Sequence, residues 1–415
     1  MRGDTASDAA GRGVDDMVPA HVVVPGSAGE VAAALHEARE AGAAVIPWGG
    51  GTHQTAGGRP TRYDVALNLH RLTSVRHHLP QDLTVTVEAG LTLGRLQQLL
   101  ARHGQHLPLE VEDPDRATVG GLIGAGCVGP RRLGHGTVRD WLLWTEVAMP
   151  DGCLVRGGAP VVKSVAGYDT PKLHVGALGS LGVVTAACFR LAPLPAARQL
   201  VRVAVETPTD VARVLAAPTL ARLRPTVLTV TRGPAAWGGA HRPDGYVVSC
   251  GFEGAQAAVE AATDRLDALL GEGRATLEVL ADAGWDAALS ALMVHRRWGT
   301  LRLRALTTSD RVPGLLGALE ALSLPPTAVW AEAGNGVVRA AWGDVPSLPG
   351  SWWAEVRQVV EAAGGTWLVE AAPAAWKRHG LEVWGPERPA WALMRAIKHA
   401  WDPGGVLAPG RTPGG

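Results

Sequence analysis

Ala43-Ala-Val-Ile-Pro-Trp-Gly-Gly-Gly-Thr-His-Gln-Thr-Ala-Gly-Gly58 decides how this chain is read. The apolar run Ala43 to Pro47 reads as a buried strand, and it opens directly into a glycine-rich loop, Trp48 to Gly58. Glycine lets backbone N–H groups approach a phosphate closely, so such a loop suits an anion held by main-chain donors. Upstream, Val22 to Val24 reads as a strand. Ser27 and Glu30 predict a capping box ahead of a helix that carries Val31, Leu35 and Ala38 on one face and stops near Gly42. Downstream, Val65–Leu69 and Thr84–Ala89 read as strands, and Thr92 caps a helix with Leu93, Leu96, Leu99 and Leu100 on one side.

Two further glycine clusters follow, Thr118 to Gly136 and Gly176 to Gly182, the second leading into a strand, Val183 to Leu191. Between them, Trp141 to Met149, the turn Pro150-Asp-Gly152 and Cys153 to Arg156 predict a hairpin. A tight turn explains one such loop equally well. Three in one domain, with almost no basic residue inside them, point to a large ligand held by backbone amides, and a dinucleotide meets that description. Gly124-Ala-Gly-Cys-Val-Gly129 spells GxGxxG, but a strand must precede that fingerprint and a helix must open within it. Thr118-Val-Gly-Gly121 precedes it and Pro130, Gly134 and Gly136 follow, so a Rossmann site is rejected. No Walker A motif and no GxSxG occurs, and His77, His78, His103 and His106 lack metal-ligand spacing, so no metal is expected.

The whole chain narrows the classes further. It has 415 residues, 47% hydrophobic and 19% charged, enough for two or three domains with substantial cores. Lys+Arg and Asp+Glu are both 39, which argues against a nucleic-acid coat or a polybasic membrane binder. Ala117 to Gly129 is too short and too glycine-rich to span a bilayer. Residues 1–17 read as a disordered tail without a secretory signal. Cys127, Cys153, Cys188 and Cys250 form no CxxC pair, as in a cytosolic protein with incidental thiols. From about residue 196 to 385 the texture becomes one of Ala-rich helices (255–270, 312–322, 351–363) alternating with strands (Val201–Val205, Leu301–Leu306, Val337–Trp342), a second α+β domain.

The motifs Pro47-Trp-Gly-Gly-Gly-Thr52, Thr84-Val-Thr-Val-Glu-Ala-Gly90, Thr118-Val-Gly-Gly121, Lys163-x-Val-Ala-Gly-Tyr-Asp169 and Gly176-Ala-Leu-Gly-Ser-Leu-Gly-Val-Val184 occur in that order. Taken together they resemble the FAD-binding domain of the PCMH-type, or vanillyl-alcohol-oxidase-like, superfamily. Gly129-Pro-Arg-Arg132, Arg139-Asp140, Ala166-Gly-Tyr-Asp169 and Asp402-Pro-x-Gly-x-Leu-x-Pro-Gly-Arg411 are similar in particular to the FAD-binding E subunit of glycolate oxidase. The resemblance covers about 18–195 and 390–411.

The resemblance implies an α+β fold: a PCMH-type FAD-binding domain over 18–195, built of two α+β subdomains, and an α+β cap or substrate domain over 196–385. Residues 386–415 would return to the FAD domain. It implies FAD, held non-covalently. Pro47, Trp48, Gly49, Gly50, Gly51, Thr52 and His53 would lie along the pyrophosphate. Thr118, Gly120, Gly121, Gly124 and Ala125 would run beside the flavin and diphosphate. Gly179, Gly182, Val183 and Val184 would lie against the adenosine end. Asp140 and Arg131 join the cofactor set, Arg131 facing a phosphate or a substrate carboxylate; the alternative is a solvent-facing Arg131–Arg132 pair. In some superfamily members a histidine in this loop carries the flavin covalently. His53 stands one position too late for that, which leaves it a supporting role.

Departures from the family pattern shape the functional expectation. Catalytic relatives such as the D subunit often carry Gly-Ser-Glu-Gly, where Ala177-Leu-Gly179 has no Glu. Their His-rich metal stretch has as its nearest analogue Glu332-Ala-Gly-Asn-Gly-Val-Val-Arg339, without His. Ala408-Pro-Gly-Arg411 replaces the usual Asn-Pro-Gly-Arg. The reading is an FAD-dependent oxidoreductase subunit of a glycolate or other 2-hydroxy-acid oxidase system. Arg296, Arg297, Arg302, Arg304 and Arg339, with Arg131, are the candidate cations for a substrate carboxylate, and no base is evident. Expected partners are the small 2-hydroxy acid, a second FAD subunit and an Fe–S subunit, with a cytoplasmic location peripheral to the membrane only through those subunits. The alternatives are a non-catalytic subunit docked on a catalytic flavoprotein and an Fe–S partner, or a stand-alone flavin oxidase or dehydrogenase of another alcohol.

Overall fold

Alternation of β-branched residues makes the strands of this chain, and short polar side chains start its helices. The computed structural model describes residues 9–161, 167–215, 222–233, 245–270, 277–294, 298–346 and 350–415. The chain divides into two compact units. Unit 1 comprises 1–128, 137–194 and 387–415; unit 2 comprises 129–136 and 195–386.

Unit 1 begins with β1 (His21–Val23), α1 (Ala28–Glu40), β2 (Val45–Trp48) and β3 (Val65–Asn68), and its first sheet is parallel in the order β1-β3-β2. Ser27 Oγ accepts from Glu30 N, as the capping box requires, but the Glu30 carboxylate accepts from the Gly26 N–H rather than from that of Ser27. A five-stranded antiparallel sheet follows from β4 (Val75–Leu79), β5 (Thr84–Glu88), β7 (Leu142–Ala148), β8 (Leu154–Gly158) and β9 (Val183–Arg190), in the order β4-β5-β9-β7-β8. The two-residue strands β6 (Gln105–His106) and β10 (Ala192–Pro193) pair with each other. α2 (Leu93–Ala101) is capped by Thr92 and buries Leu93, Leu96 and Leu100; α3 (Val119–Ala125) is capped by Thr118.

The expected disordered tail, 1–17, is folded from Ala9 onward. Val14 is buried and pairs with Met17, the Tyr63 hydroxyl donates to Arg12 O, and Arg59 meets Asp16 at 2.6 Å. Residues 387–415 pack on unit 1 through backbone pairing. Val45 N donates to Val406 O, and Ala408 N donates to Val45 O.

Unit 2 is an eight-stranded antiparallel sheet among the described residues, in the order β14-β11-β13-β12-β16-β17-β15-β18. Its strands are β11 (Ala197–Val205), β12 (Val227–Arg232), β13 (Tyr246–Gly254), β14 (Leu277–Ala281), β15 (Leu301–Leu306), β16 (Ala328–Glu332), β17 (Val337–Trp342) and β18 (Thr366–Ala371). The main core sets Val230, Val248, Leu303, Val338 and Trp342 against the helices Val312–Glu320 and Ser351–Ala362. Residues 129–136, read from sequence as part of the first domain, belong here because Arg131 and His135 both bind Glu253 of β13. No helix among the described residues is long and apolar enough to cross a membrane.

Candidate functional site

In unit 1 the three glycine loops converge on one cleft of about 780 Å³, its mouth included. The first loop leaves β2. Gln54 Nε2 donates to Pro47 O, and Arg116 Nη2 donates to Gly50 O, which ties the loop to the chain entering α3. A Cβ on Gly50 would collide with the Arg116 carbonyl, so this approach needs glycine. The second loop is α3 itself, with Thr118 Oγ1 accepting from Gly121 N. Leu178 N donates to Gly124 O and Gly176 N to Ile123 O, so the third loop is laced to the end of α3. Gly179 has φ +74°, and a Cβ there would stand 2.7 Å from Pro47 Cγ.

The segment 402–411 completes the cleft. Asp402 accepts from Val406 N and Leu407 N, and Lys398 donates to Asp402 Oδ2, Leu407 O and Ser180 O. That knot fixes Arg411, whose Nη1 donates to Gln54 O. Arg411 is 2% exposed, and burial lowers its pKa to about 10, with Asp15 and Tyr63 opposing. It stays cationic at neutral pH and is the only Lys or Arg lining the cleft among the described residues.

Pro47, Trp48, Gly49, Gly50, Gly51, Thr52, His53, Thr118, Gly120, Gly121, Gly124, Ala125, Gly179, Gly182, Val183 and Val184 all line this cleft. Two residues grouped with them from sequence do not. Asp140 caps the short helix 138–141, accepting from Thr137 N and Oγ1, a role its spacing from Thr137 permitted. Arg131 is buried in unit 2, with Nη1 3.0 Å from Glu253, so it is neither a lining residue nor a solvent-facing partner of Arg132. Arg302, Arg304 and Arg339 lie in unit 2 on adjacent strands. Lys163, Arg296 and Arg297 fall outside the described residues.

Gln54, Leu69, His174, Leu178 and Arg411 line the cleft although sequence reasoning did not select them. Arg411 closes a quoted motif and was within reach of that reading. His174 had no local signal. Burial lowers its pKa to about 4, so it is neutral at pH 7. His53 Nδ1 lies 3.0 Å from Thr52 Oγ1, and its Nε2 lies 3.3 Å from Cys127 Sγ.

The lining fits a dinucleotide with an anionic diphosphate. Two buried donors, Trp48 Nε1 and Arg411 Nε, and the buried ring nitrogen His174 Nδ1 have no hydrogen-bond partner among the described residues. A Cβ on Gly124 would meet nothing closer than Gly179 N at 3.9 Å, and one on Gly121 would meet only Thr118 Oγ1 at 3.2 Å. Side chains there would occupy room that a ligand needs.

Comparison with known proteins supplies the ligand. Residues 19–158 match the family described as FAD binding domain. The chain is 34% identical over 188 residues to the D-lactate dehydrogenase of Archaeoglobus fulgidus, covering 45% of this chain and 42% of that protein. It is 37% identical over 142 residues to glycolate oxidase subunit GlcE of Escherichia coli, covering 34% and 40%. It is 30% identical over 178 residues to glycolate oxidase subunit GlcD of Bacillus subtilis, covering 43% and 38%. Each match thus spans about two fifths of the relative's length. Alkyldihydroxyacetonephosphate synthase shares the fold over 94% of this chain and 77% of its own, with a TM-score of 0.65 at 16% identity. Residues 19–158 thus match an FAD binding domain, and the cofactor is FAD.

Proposed function

We propose that this chain is an FAD-binding subunit of a 2-hydroxy-acid oxidising system, acting on glycolate or a related acid. The observation that supports it most directly is the unit 1 cleft, three glycine loops closed by the buried Arg411. The backbone of Gly49, Gly50 and Gly51, the Thr52 hydroxyl and the Arg411 guanidinium would hold the diphosphate. Val183 and Val184 would lie against the adenosine, and Gly120, Gly121 and Gly124 beside the flavin. Bound FAD supplies hydride acceptance, and the protein supplies orientation and field. His174 enters as a neutral imidazole, so it adds no charge beside the isoalloxazine. Both His53 nitrogens already have neighbours in Thr52 and Cys127, which supports a non-covalent cofactor. Acid precipitation of the yellow protein should leave the flavin in the supernatant; flavin retained in the pellet would overturn that point.

The relatives named above, a D-lactate dehydrogenase and two glycolate oxidase subunits, support a 2-hydroxy acid as substrate and a further subunit as partner; that partner being a second flavoprotein, with an Fe–S subunit as electron acceptor, is part of the proposal. The location is then cytoplasmic, peripheral to the membrane only through those partners. A second reading, a subunit that binds FAD but does not turn over alone, is favoured by one feature. Glu332 and Arg339 pair at 2.9 Å in the stretch where catalytic relatives carry a His motif. The test is the absorption spectrum of the purified chain before and after anaerobic glycolate. Bleaching of the flavin band by glycolate makes the chain catalytic alone, and flavin that stays oxidised until a partner is added makes it a dependent subunit. A chain that takes up no FAD on reconstitution overturns both readings.

A further inference from the structure

Beside the unit 1 cleft stands a thiol that is not part of its lining. Cys127 follows Gly126, the residue that ends α3, and is 7% exposed. Its Sγ lies 3.3 Å from His53 Nε2, and His53 Nδ1 lies 3.0 Å from Thr52 Oγ1. A nucleophile, a base and a group that orients the base thus stand in sequence. With Nδ1–H donating to the Thr52 hydroxyl, Nε2 carries the lone pair that can take the Cys127 proton. Thr52 and His53 line the cleft, as do Gly124 and Ala125 just before the thiol.

The other three thiols are held in the protonated form. Asp151 raises the pKa of the exposed Cys153 through a hydrogen bond and its charge. Burial raises that of Cys188, with Thr86 opposing, and pushes that of Cys250 up to about 12. The thiolate is the reacting species, so these three are poor nucleophiles. Cys127 differs from them in having an imidazole within reach of its proton. Its surroundings are close-packed. A Cβ on the preceding Gly126 would stand 3.2 Å from Gly176 Cα, so an oxygen added to the sulfur takes its room from the neighbours, His53 among them.

We propose that Cys127 is a peroxide-reactive thiol and that its oxidation to the sulfenic acid blocks FAD loading. The oxidant is hydrogen peroxide, small enough to enter where water does. The sulfur, its proton passed to His53, attacks one peroxide oxygen. An S–O bond forms as the O–O bond breaks, and the two electrons given up by sulfur reduce the peroxide. The departing hydroxide takes the proton from His53 and leaves as water, and a dithiol reverses the oxidation. The oxidised side chain displaces His53, and Thr52 moves with it out of line with the diphosphate. This second half rests on the proposed function, in which the cleft holds FAD; the reactivity of the thiol does not.

The test treats the full chain, with FAD removed or bound, with hydrogen peroxide at neutral pH. Dimedone labelling and peptide mass spectrometry follow each cysteine. A free thiol is ionised to only a few per cent at neutral pH, so the His53 base should make buried Cys127 react about tenfold faster than exposed Cys153. His53→Gln should remove that advantage with circular dichroism unchanged. Saturating FAD should protect Cys127 and leave Cys153 as before. In flavin titrations, peroxide should weaken FAD binding about tenfold or more, the value of one hydrogen bond to the diphosphate, and dithiothreitol should restore it. Cys127→Ala should bind FAD equally before and after peroxide. Faster reaction at Cys153 than at Cys127, an unchanged rate in His53→Gln, or undiminished FAD affinity in the oxidised chain would each overturn the proposal. A chain that takes up FAD but whose Cys127 is inert would sink the thiol while the proposed function stands. Sulfenic acid at Cys127 in a chain that takes up no FAD would overturn the proposed function and the loading effect, and leave the reactive thiol.

Discussion

Gly124 is held to glycine by what the cleft must contain, since nothing in the chain crowds it. Its φ is not in the left-handed region, and it sits inside α3, where alanine is the better helix former by about 0.5–1 kcal/mol. Gly124→Ala should therefore raise the stability of the cofactor-free chain by up to that amount while weakening FAD binding. Calorimetry and flavin titration on the same variant check both halves. His174 gives unit 1 a pH dependence. Its folded pKa, about 4, lies below the ordinary 6.5, so the unfolded chain binds the extra proton between those values. Stability from this residue is complete above pH 6.5 and is lost as pH falls toward 4. A denaturation series across that window should show the slope, and His174→Phe should flatten it. Neither Arg131 nor His174 could be placed from sequence. The partner of Arg131 is Glu253, 122 residues away, and burial of His174 depends on the whole fold. Ala408 shows the opposite case. The motif around it was legible, but not that it sits at φ +45°, a region where the usual Asn is far more at ease.

Among the elements, the helix Ala390–Trp401 does the most to assemble the site. Lys398 ties its last turn to Ser180 in the third glycine loop and to Leu407 in the segment that leads to Arg411. Lys398→Met would leave Asp402 buried without its cation, a loss of about 3–5 kcal/mol in comparable buried pairs. Unit 1 should melt earlier, and FAD affinity should fall with it; unchanged affinity would show that the loop is positioned by other contacts. In unit 2, the short helix 132–135 presses Arg131 and His135 on Glu253. Burial alone would raise the Glu253 pKa, but the His135 hydrogen bond and the Arg131 charge overcome it and hold the carboxyl near about 2. That stabilisation is present above the ordinary 4.5 and is lost as pH falls toward 2; Glu253→Gln should remove this acid-sensitive part. Local signals made most elements readable. Thr92 and Thr118 cap as their positions predict, and the hairpin at Pro150-Asp-Gly152 joins β7 to β8. The assignment of 129–136 to unit 2 was not readable, because glycine spacing continues unbroken through it and only tertiary ion pairs mark the change.

At the scale of the whole molecule, each unit has its own apolar core. Calorimetry should resolve two transitions, and FAD at a hundred times its dissociation constant should stabilise the unit 1 transition alone, by about 2.7 kcal/mol. A single transition raised as one would show instead that the units unfold together. Unit 1 is assembled from three separated stretches of chain, and the last of them brings Leu407 beside Val45 and Arg411 beside Gln54. During synthesis the polypeptide emerges from the ribosome in order, so the cradle for the cofactor stays open while all of unit 2 is being made. Flavin loading is then a late event. A chain stalled before residue 411 would leave the ribosome colourless, and yellow colour reports that translation has passed that point.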